Sequence, residues 1–205
     1  MKLIRFRIGP ILALFTLQPA YAVTREEVTV CLHPDVVVQG QTLAVAEKLA
    51  ETMLAEASVR IDWCSGRAVR EGISIEFSER TPEDFHPGAV AFARPYGSGQ
   101  ITVFYDRILK RYPANLVTAV LGHVLVHEMT HVLQGIDRHS ECGVMRAHWT
   151  SADLNQMATK PLSFTAEDIE LIQRGIEART WVRADSRPEY RTMAMRTTPN
   201  DSAGR

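Results

Sequence analysis

Between Val28 and Gln134 the apolar positions change period several times, and each change marks an element. VTVCL at 28–32 is a short unbroken apolar run, the mark of a buried strand, and His33-Pro34 closes it. From Gln41 to Ala57 the apolar residues fall at 43, 46, 49, 50, 53, 54 and 57, which is helical spacing. Val59–Trp63 alternates as a second strand and Ile73–Phe77 (ISIEF) as a third. Thr81–Gly88 carries two prolines and reads as a loop. Ala89–Ala93 is a short strand cut off by Pro95 and the Gly97-Ser98-Gly99 turn, and Ile101–Tyr105 (ITVFY) is a fifth.

Pro113 suits the first turn of a helix that runs to about Gln134. Its apolar residues at 117, 121, 125 and 129 make one stripe, and His123, His127 and His131 make another beside it. A helix apolar on most sides is buried, so these histidines line an internal face or the floor of a cleft. Thr150–Leu162 is polar and reads as irregular or weakly helical. Thr165-Ala166-Glu167-Asp168 is a threonine N-cap with acidic residues in the first turn, opening a last helix to about Val182. The order of elements predicts an α+β or α/β layer, with the long helix packed on a mixed sheet.

The two ends of the chain differ from its middle. Lys2, Arg5 and Arg7 precede an apolar stretch, Ile8–Leu17, and Ala20-Tyr21-Ala22 follows as a cleavage site, so residues 1–22 read as a signal peptide for export. The apolar stretch is too short to span ~30 Å of hydrocarbon. Residues 184–205 are polar and rich in Arg, Thr, Ser and Pro, the composition of a disordered tail. That leaves 23–183 as a single domain, expected to be monomeric. Loss of the leader removes three cations and no anion from a chain of net charge −1. A mildly negative domain gives no case for nucleic acid or for an anionic membrane surface. Three cysteines in an exported chain allow one disulfide and leave one thiol. Cys31 and Cys64 are the expected pair, because both lie near the C-terminal ends of strands joined by a crossover helix, and such strands run parallel and are often neighbours.

The chemistry concentrates in residues 121–149, where five of the seven histidines fall between His123 and His148. His127-Glu128-Met129-Thr130-His131 is an HExxH signature. On a helix, residues four apart share a face with Cβ atoms about 5–6 Å apart, which suits two imidazoles gripping one Zn²⁺. Glu128 stands one position round, beside the metal without having to bind it, where the general base of a zinc-dependent hydrolysis belongs. Gly135 is placed to stop the helix and turn the chain back, and the returning loop offers Asp137 and His139 as a third ligand. His123 cannot share the metal with both other histidines, since its Cα lies about 12 Å along the axis from that of His131. It reads as a hydrogen-bonded core histidine, or as a group bordering the cleft. His148 and Trp149 reach the cleft or pack beneath it, and Cys142 is a possible fourth ligand that would close the site. His33 and His86 read as surface residues.

With Gly143-Val144-Met145 following His139, the region resembles the metzincin clan of zinc metallopeptidases, and the archaemetzincin-like and related short bacterial exported members most of all. The clan pattern is HExxHxxGxxH, or a final Asp, followed by a methionine in a tight turn beneath the metal. The resemblance implies a mostly parallel sheet with an antiparallel edge strand, packed on the long active-site helix, and a C-terminal helix. It implies Zn²⁺ on His127 and His131, Glu128 as general base, Met145 as the turn methionine and a peptide or protein substrate. The chain departs from the pattern in that Gly135 lies four residues after His131 instead of three. The clan's spacing places the third ligand at Asp137, whereas ligand preference favours His139, eight residues after His131. Two functions follow: a secreted zinc peptidase, with Ala89–Ala93 as the edge strand that pairs with an extended substrate, or a non-catalytic secreted binding module with a structural zinc.

Overall fold

The computed structural model describes residues 26–33, 38–66, 72–81, 88–95 and 99–186, with side chains as far as residue 179. The expected signal peptide, Pro34, His86, most of the 81–88 loop, Gly97-Ser98 and the stretch from 187 onward lie outside these residues. Strand β1 (Glu26–Leu32) is followed by helix α1 (Gly40–Leu54), a 3₁₀ turn at Ala55–Ala57, and β2 (Val59–Ser65). The crossover makes β1 and β2 parallel and sets Cys31 directly opposite Cys64. The two are joined in a disulfide with Cα atoms 4.4 Å apart, as the strand ends predicted.

Strands β3 (Ile73–Ser78), β4 (Ala91–Ala93) and β5 (Gln100–Phe104) complete a five-stranded sheet in the order β2-β1-β3-β5-β4. All neighbours are parallel except β4, which runs antiparallel to β5 at the edge. The expected α+β class and mixed sheet are both present. The register of β4 decides which of its backbone groups reach outward. Val90 C=O accepts from Phe104 N–H (2.8 Å) and Arg94 N–H donates to Gln100 C=O (2.9 Å). By the alternation of an antiparallel ladder, the N–H and C=O of Ala91 and Ala93 point away from β5.

Two helix boundaries differ from the sequence expectation. Strand β5 ends at Phe104, and Tyr105 opens a separate short helix, α2 (Tyr105–Arg111). Asp106 in its first turn and Lys110 and Arg111 in its last complement the helix dipole, and Lys110 pairs with Asp106 at 3.2 Å. The long helix, α3, then spans Val117–Gln134 and not 113–134. Tyr112 is extended, as a residue before proline must be, so Pro113 opens a turn closed by Leu116 N–H on Pro113 C=O (2.8 Å).

Helix α3 is the centre of the molecule. Every residue from Val120 to Gln134 is buried, with α1 and α5 packed against the helix and β4 lying over it. Gly135, at φ +69°, ends it, its N–H shared between the carbonyls of His131 (3.0 Å) and Val132 (3.2 Å). The 150–162 segment contains a true helix, α4 (Ser151–Met157), started by a capping box in which Thr150 and Asp153 satisfy each other's backbone N–H groups. Helix α5 (Ala166–Ser186) runs four residues past the expected end at Val182.

Candidate metal centre

His127 and His131 occupy successive turns of α3, and each ring is fixed by a backbone carbonyl of the chain that follows the helix. His127 Nδ1 donates to Val144 C=O (2.8 Å), and His131 Nδ1 donates to Ile136 C=O (3.3 Å). With the proton on Nδ1, each Nε2 carries a bare lone pair, and the two Nε2 atoms face each other at 3.1 Å. Burial and the neighbouring His131 and His139 push His127 down to about 3. Burial, and then His139, lower His131 too, so neither ring relieves the repulsion by protonation at neutral pH. A cation between the rings does relieve it, which is the sense in which this donor set fits a metal.

The returning loop brings a third imidazole. The His139 ring centroid lies 5.2 Å from that of His127 and 4.9 Å from that of His131. One ligand nitrogen from each of the three falls within 4.8 Å of the others. His139 itself is exposed, so the triad is buried on the helix side and open on the other. Asp137 lines the same cleft but stands outside this group.

The loop holds its shape through contacts on both sides of His139. Ser140 N–H donates to Met145 C=O (2.8 Å), Arg146 N–H to Gly143 C=O (3.3 Å), and Val144 N–H to Ser163 C=O (3.1 Å). Gly143 sits at φ +77°, and a Cβ there would fall 2.3 Å from Ser163 O, so only glycine fits both the conformation and the space. Met145 is wholly buried in this turn. Val144 C=O also accepts from Trp149 Nε1 (3.2 Å), so one carbonyl orients a ligand candidate and a cleft-wall indole together.

Asp168, at the start of α5, anchors the same loop and was visible in the sequence only as part of an N-cap. It is fully buried, and it accepts from Ser140 Oγ (2.6 Å), Arg138 Nη1 (3.1 Å) and Thr165 N–H (3.0 Å). Burial alone would raise its carboxyl, but the hydrogen bonds from Ser140 and Thr165, with Arg138 beside it, outweigh that and hold it below the usual range. Arg138 also pairs with Glu167 at 2.5 Å.

Glu128 is almost completely buried and accepts a hydrogen bond from the backbone N–H of Ala93 in β4. Burial, with a smaller contribution from Asp137, pushes its carboxyl up to about 8. A cation close by works in the opposite direction. Glu128, the triad and Asp137 line a cleft of about 440 Å³. The same cleft is lined by the Gly88–Ala93 stretch, Arg111, Tyr112, Val124, His148 and Trp149. Sequence reasoning had not brought Arg111 and Tyr112 to the site.

The remaining candidates fall elsewhere. His123 is fully buried, with Nδ1 donating to Ala119 C=O (2.7 Å) and Nε2 accepting Leu162 N–H (3.0 Å), so both nitrogens are spent on structure. Cys142 is an exposed free thiol outside both the histidine group and the cleft lining. His33 is half-buried at the end of β1.

A mixed sheet laid over a buried HExxH helix, whose chain returns through a glycine turn carrying a third histidine, is an archaemetzincin-like fold. In particular, the chain is similar to the crystal structure of archaemetzincin from Methanopyrus kandleri, with a TM-score of 0.53 and 16% identity, over 79% of this chain and 99% of that one. It also matches a zinc-dependent peptidase from Methanocorpusculum labreanum, with a TM-score of 0.49 and 10% identity, over 71% of this chain and 99% of that one. At 16% identity the likeness to archaemetzincin is one of fold. No family model matches the chain, nor does any curated protein.

Proposed function

We propose that the chain is an exported zinc-dependent peptidase that hydrolyses peptide bonds with Glu128 as general base. The observation that carries this reading is the pair of Nε2 lone pairs facing each other at 3.1 Å, locked in that tautomer by two carbonyls, beside a buried carboxylate at the head of an open cleft. His127, His131 and His139 hold the metal, His139 being favoured over Asp137 because its ring stands with the other two. Zinc in such a site supplies Lewis-acid chemistry, acidifying water and polarising a carbonyl.

The chain's own residues do the rest. Glu128 accepts a proton from the attacking water and returns it to the departing amine, and Ala93 N–H steadies its carboxylate. The outward N–H and C=O of Ala91 and the C=O of Ala93 pair with an extended peptide, adding it to the sheet as a further strand. Met145 forms the floor under the histidines, and the Gly143 turn keeps Val144 C=O on His127. Cys142, exposed and apart, leaves the fourth position open, which favours catalysis over a closed structural zinc.

The Cys31–Cys64 bridge suits an oxidising compartment and supports export, as does the leader-like 1–22 segment. Among the described residues no helix is long and apolar enough to cross a membrane. We take the protein to act as a monomer on peptides or proteins. The test is metal analysis of the purified protein together with cleavage of a peptide library. Equimolar zinc and chelator-sensitive cleavage support the reading, and a zinc-loaded protein that cuts nothing favours the binding module.

A further inference from the structure

We infer that the end of the cleft away from the histidines is a carboxylate subsite, in which Arg111 binds an acidic group on the C-terminal side of the bond being cut. This rests on the peptidase reading for its direction. Ala93 N–H lies on the Glu128 carboxylate, which fixes the reacting end of the cleft at the C-terminal end of β4. A peptide added to the open edge of β4 pairs most stably when antiparallel. It then runs from Ala93 toward Gly88, so residues downstream of the cut pass Ala91 and arrive at Arg111.

Arg111 is held ready for an anion. Its Nη1 donates to Gly88 C=O (2.8 Å), and the guanidinium carbon stands 5.8 Å from the centroid of the Tyr112 ring. That uses one of its donors and leaves the planar fork able to take a carboxylate. Among the described residues no carboxylate pairs with Arg111, whereas Arg146, the other arginine of the cleft wall, is committed to Asp153 at 2.8 Å. Among the described residues the acids that line the cleft are Glu128 and Asp137, and both belong to the metal end.

Beyond Arg111 the cleft continues into a second hollow of about 290 Å³, which shares Gly88, Val90 and Arg111 with it. Arg107, Lys110 and Arg111 line that hollow at a spacing that puts all three on one face of α2. Lys110 is paired with Asp106, which offsets its charge, and Arg107 donates to Ala89 C=O, so Arg111 makes the contact. The ligand chemistry is therefore a carboxylate, either an Asp or Glu side chain or the C-terminal carboxylate of a short peptide.

The experiment uses the zinc-loaded Glu128→Gln protein, which binds without cutting, and measures binding of fluorescent peptides by anisotropy. The peptides differ downstream of the cut as Glu against Gln, and as free against amidated C-terminus. Parallel cleavage assays use the unsubstituted protein. We expect about tenfold tighter binding for a carboxylate-bearing peptide, lost in Arg111→Gln. Sensitivity to Glu→Gln assigns the side chain, and sensitivity to amidation assigns the terminus. Arg111→Glu should shift the preference to peptides with Lys downstream, an outcome that misfolding does not produce. Equal binding of all four peptides overturns the subsite, even if the protein cuts them. A preference that depends on Arg111, in a protein that never cuts, upholds the subsite and removes the peptidase.

Discussion

Two glycines with nearly the same backbone allow the loop under the histidines to be tested against a built-in control. Gly135 (φ +69°) and Gly143 (φ +77°) both lie in the left-handed region, but a Cβ on Gly135 would meet nothing within 4 Å. Gly135→Ala therefore bears only the conformational cost, about 1–2 kcal/mol. A gain of about 0.4–1 kcal/mol from the less flexible unfolded chain offsets part of it. Gly143→Ala bears the same cost and also drives its Cβ against Ser163 O, a backbone atom at 2.3 Å that cannot swing aside. Relief requires the two segments to part, which breaks Val144 N–H to Ser163 C=O and strands a buried donor, a further cost of about 1–3 kcal/mol. The expected melting temperatures are close to the parent's for Gly135→Ala. For Gly143→Ala they fall by roughly 5–15 °C, at about 2–4 °C per kcal/mol for a domain of this size. Because Val144 C=O orients His127, Gly143→Ala should also weaken zinc binding by about 10–100-fold in a chelator competition, as loss of a ligand's outer partner does. Equal melting temperatures and equal zinc affinities for the two variants would refute the argument that Ser163 and Val144 position the site.

The disulfide closes a separation of 33 residues, so its loss in a Cys31→Ser/Cys64→Ser variant should cost about 3.7 kcal/mol by the loop-entropy relation, read as a lower melting temperature with zinc affinity unchanged. His139→Ala should reduce zinc affinity far more than Asp137→Ala in the same chelator titration; the reverse order would move the third ligand to Asp137, at the clan's own spacing. Asp168 titrates below its unfolded value, so its contribution to stability is fully present above about pH 4 and is lost as pH falls through the lower, folded pKa. Asp168→Asn should therefore flatten the acid limb of the stability curve, and an unchanged limb would remove Asp168 from the loop's support.

Much of this molecule was legible because its strongest signals are local. The HExxH spacing, the stop at Gly135 and the alternating runs each depend on a few adjacent residues, and each led to the element now seen. The disulfide was legible because a crossover helix constrains two strand ends at once. What was missed depends on residues far apart in sequence. Helix α2 is only seven residues long, and it continues the apolar run of β5 through Tyr105, so periodicity alone cannot separate the two. The capping box of α4 was present in the sequence as Thr150 and Asp153 and was outweighed by the polarity of the stretch. Asp168 gave the signal of a helix start, and its grip on Ser140 and Arg138, 28 and 30 residues away, has no sequence signature. The third histidine stayed open for a similar reason. Two extra residues in the returning loop remove the clan's spacing, and only the folded loop places the His139 ring beside the other two.

The central claim is that Glu128 does chemistry beside a metal that it does not hold. Glu128→Gln keeps the shape of the side chain and removes its ability to take a proton. The decisive measurement is zinc content and peptide cleavage of this variant beside the parent. The account predicts equimolar zinc in both proteins and loss of nearly all cleavage in the variant. Cleavage by the variant at near the parent's rate, or a parent that binds no zinc, would contradict it.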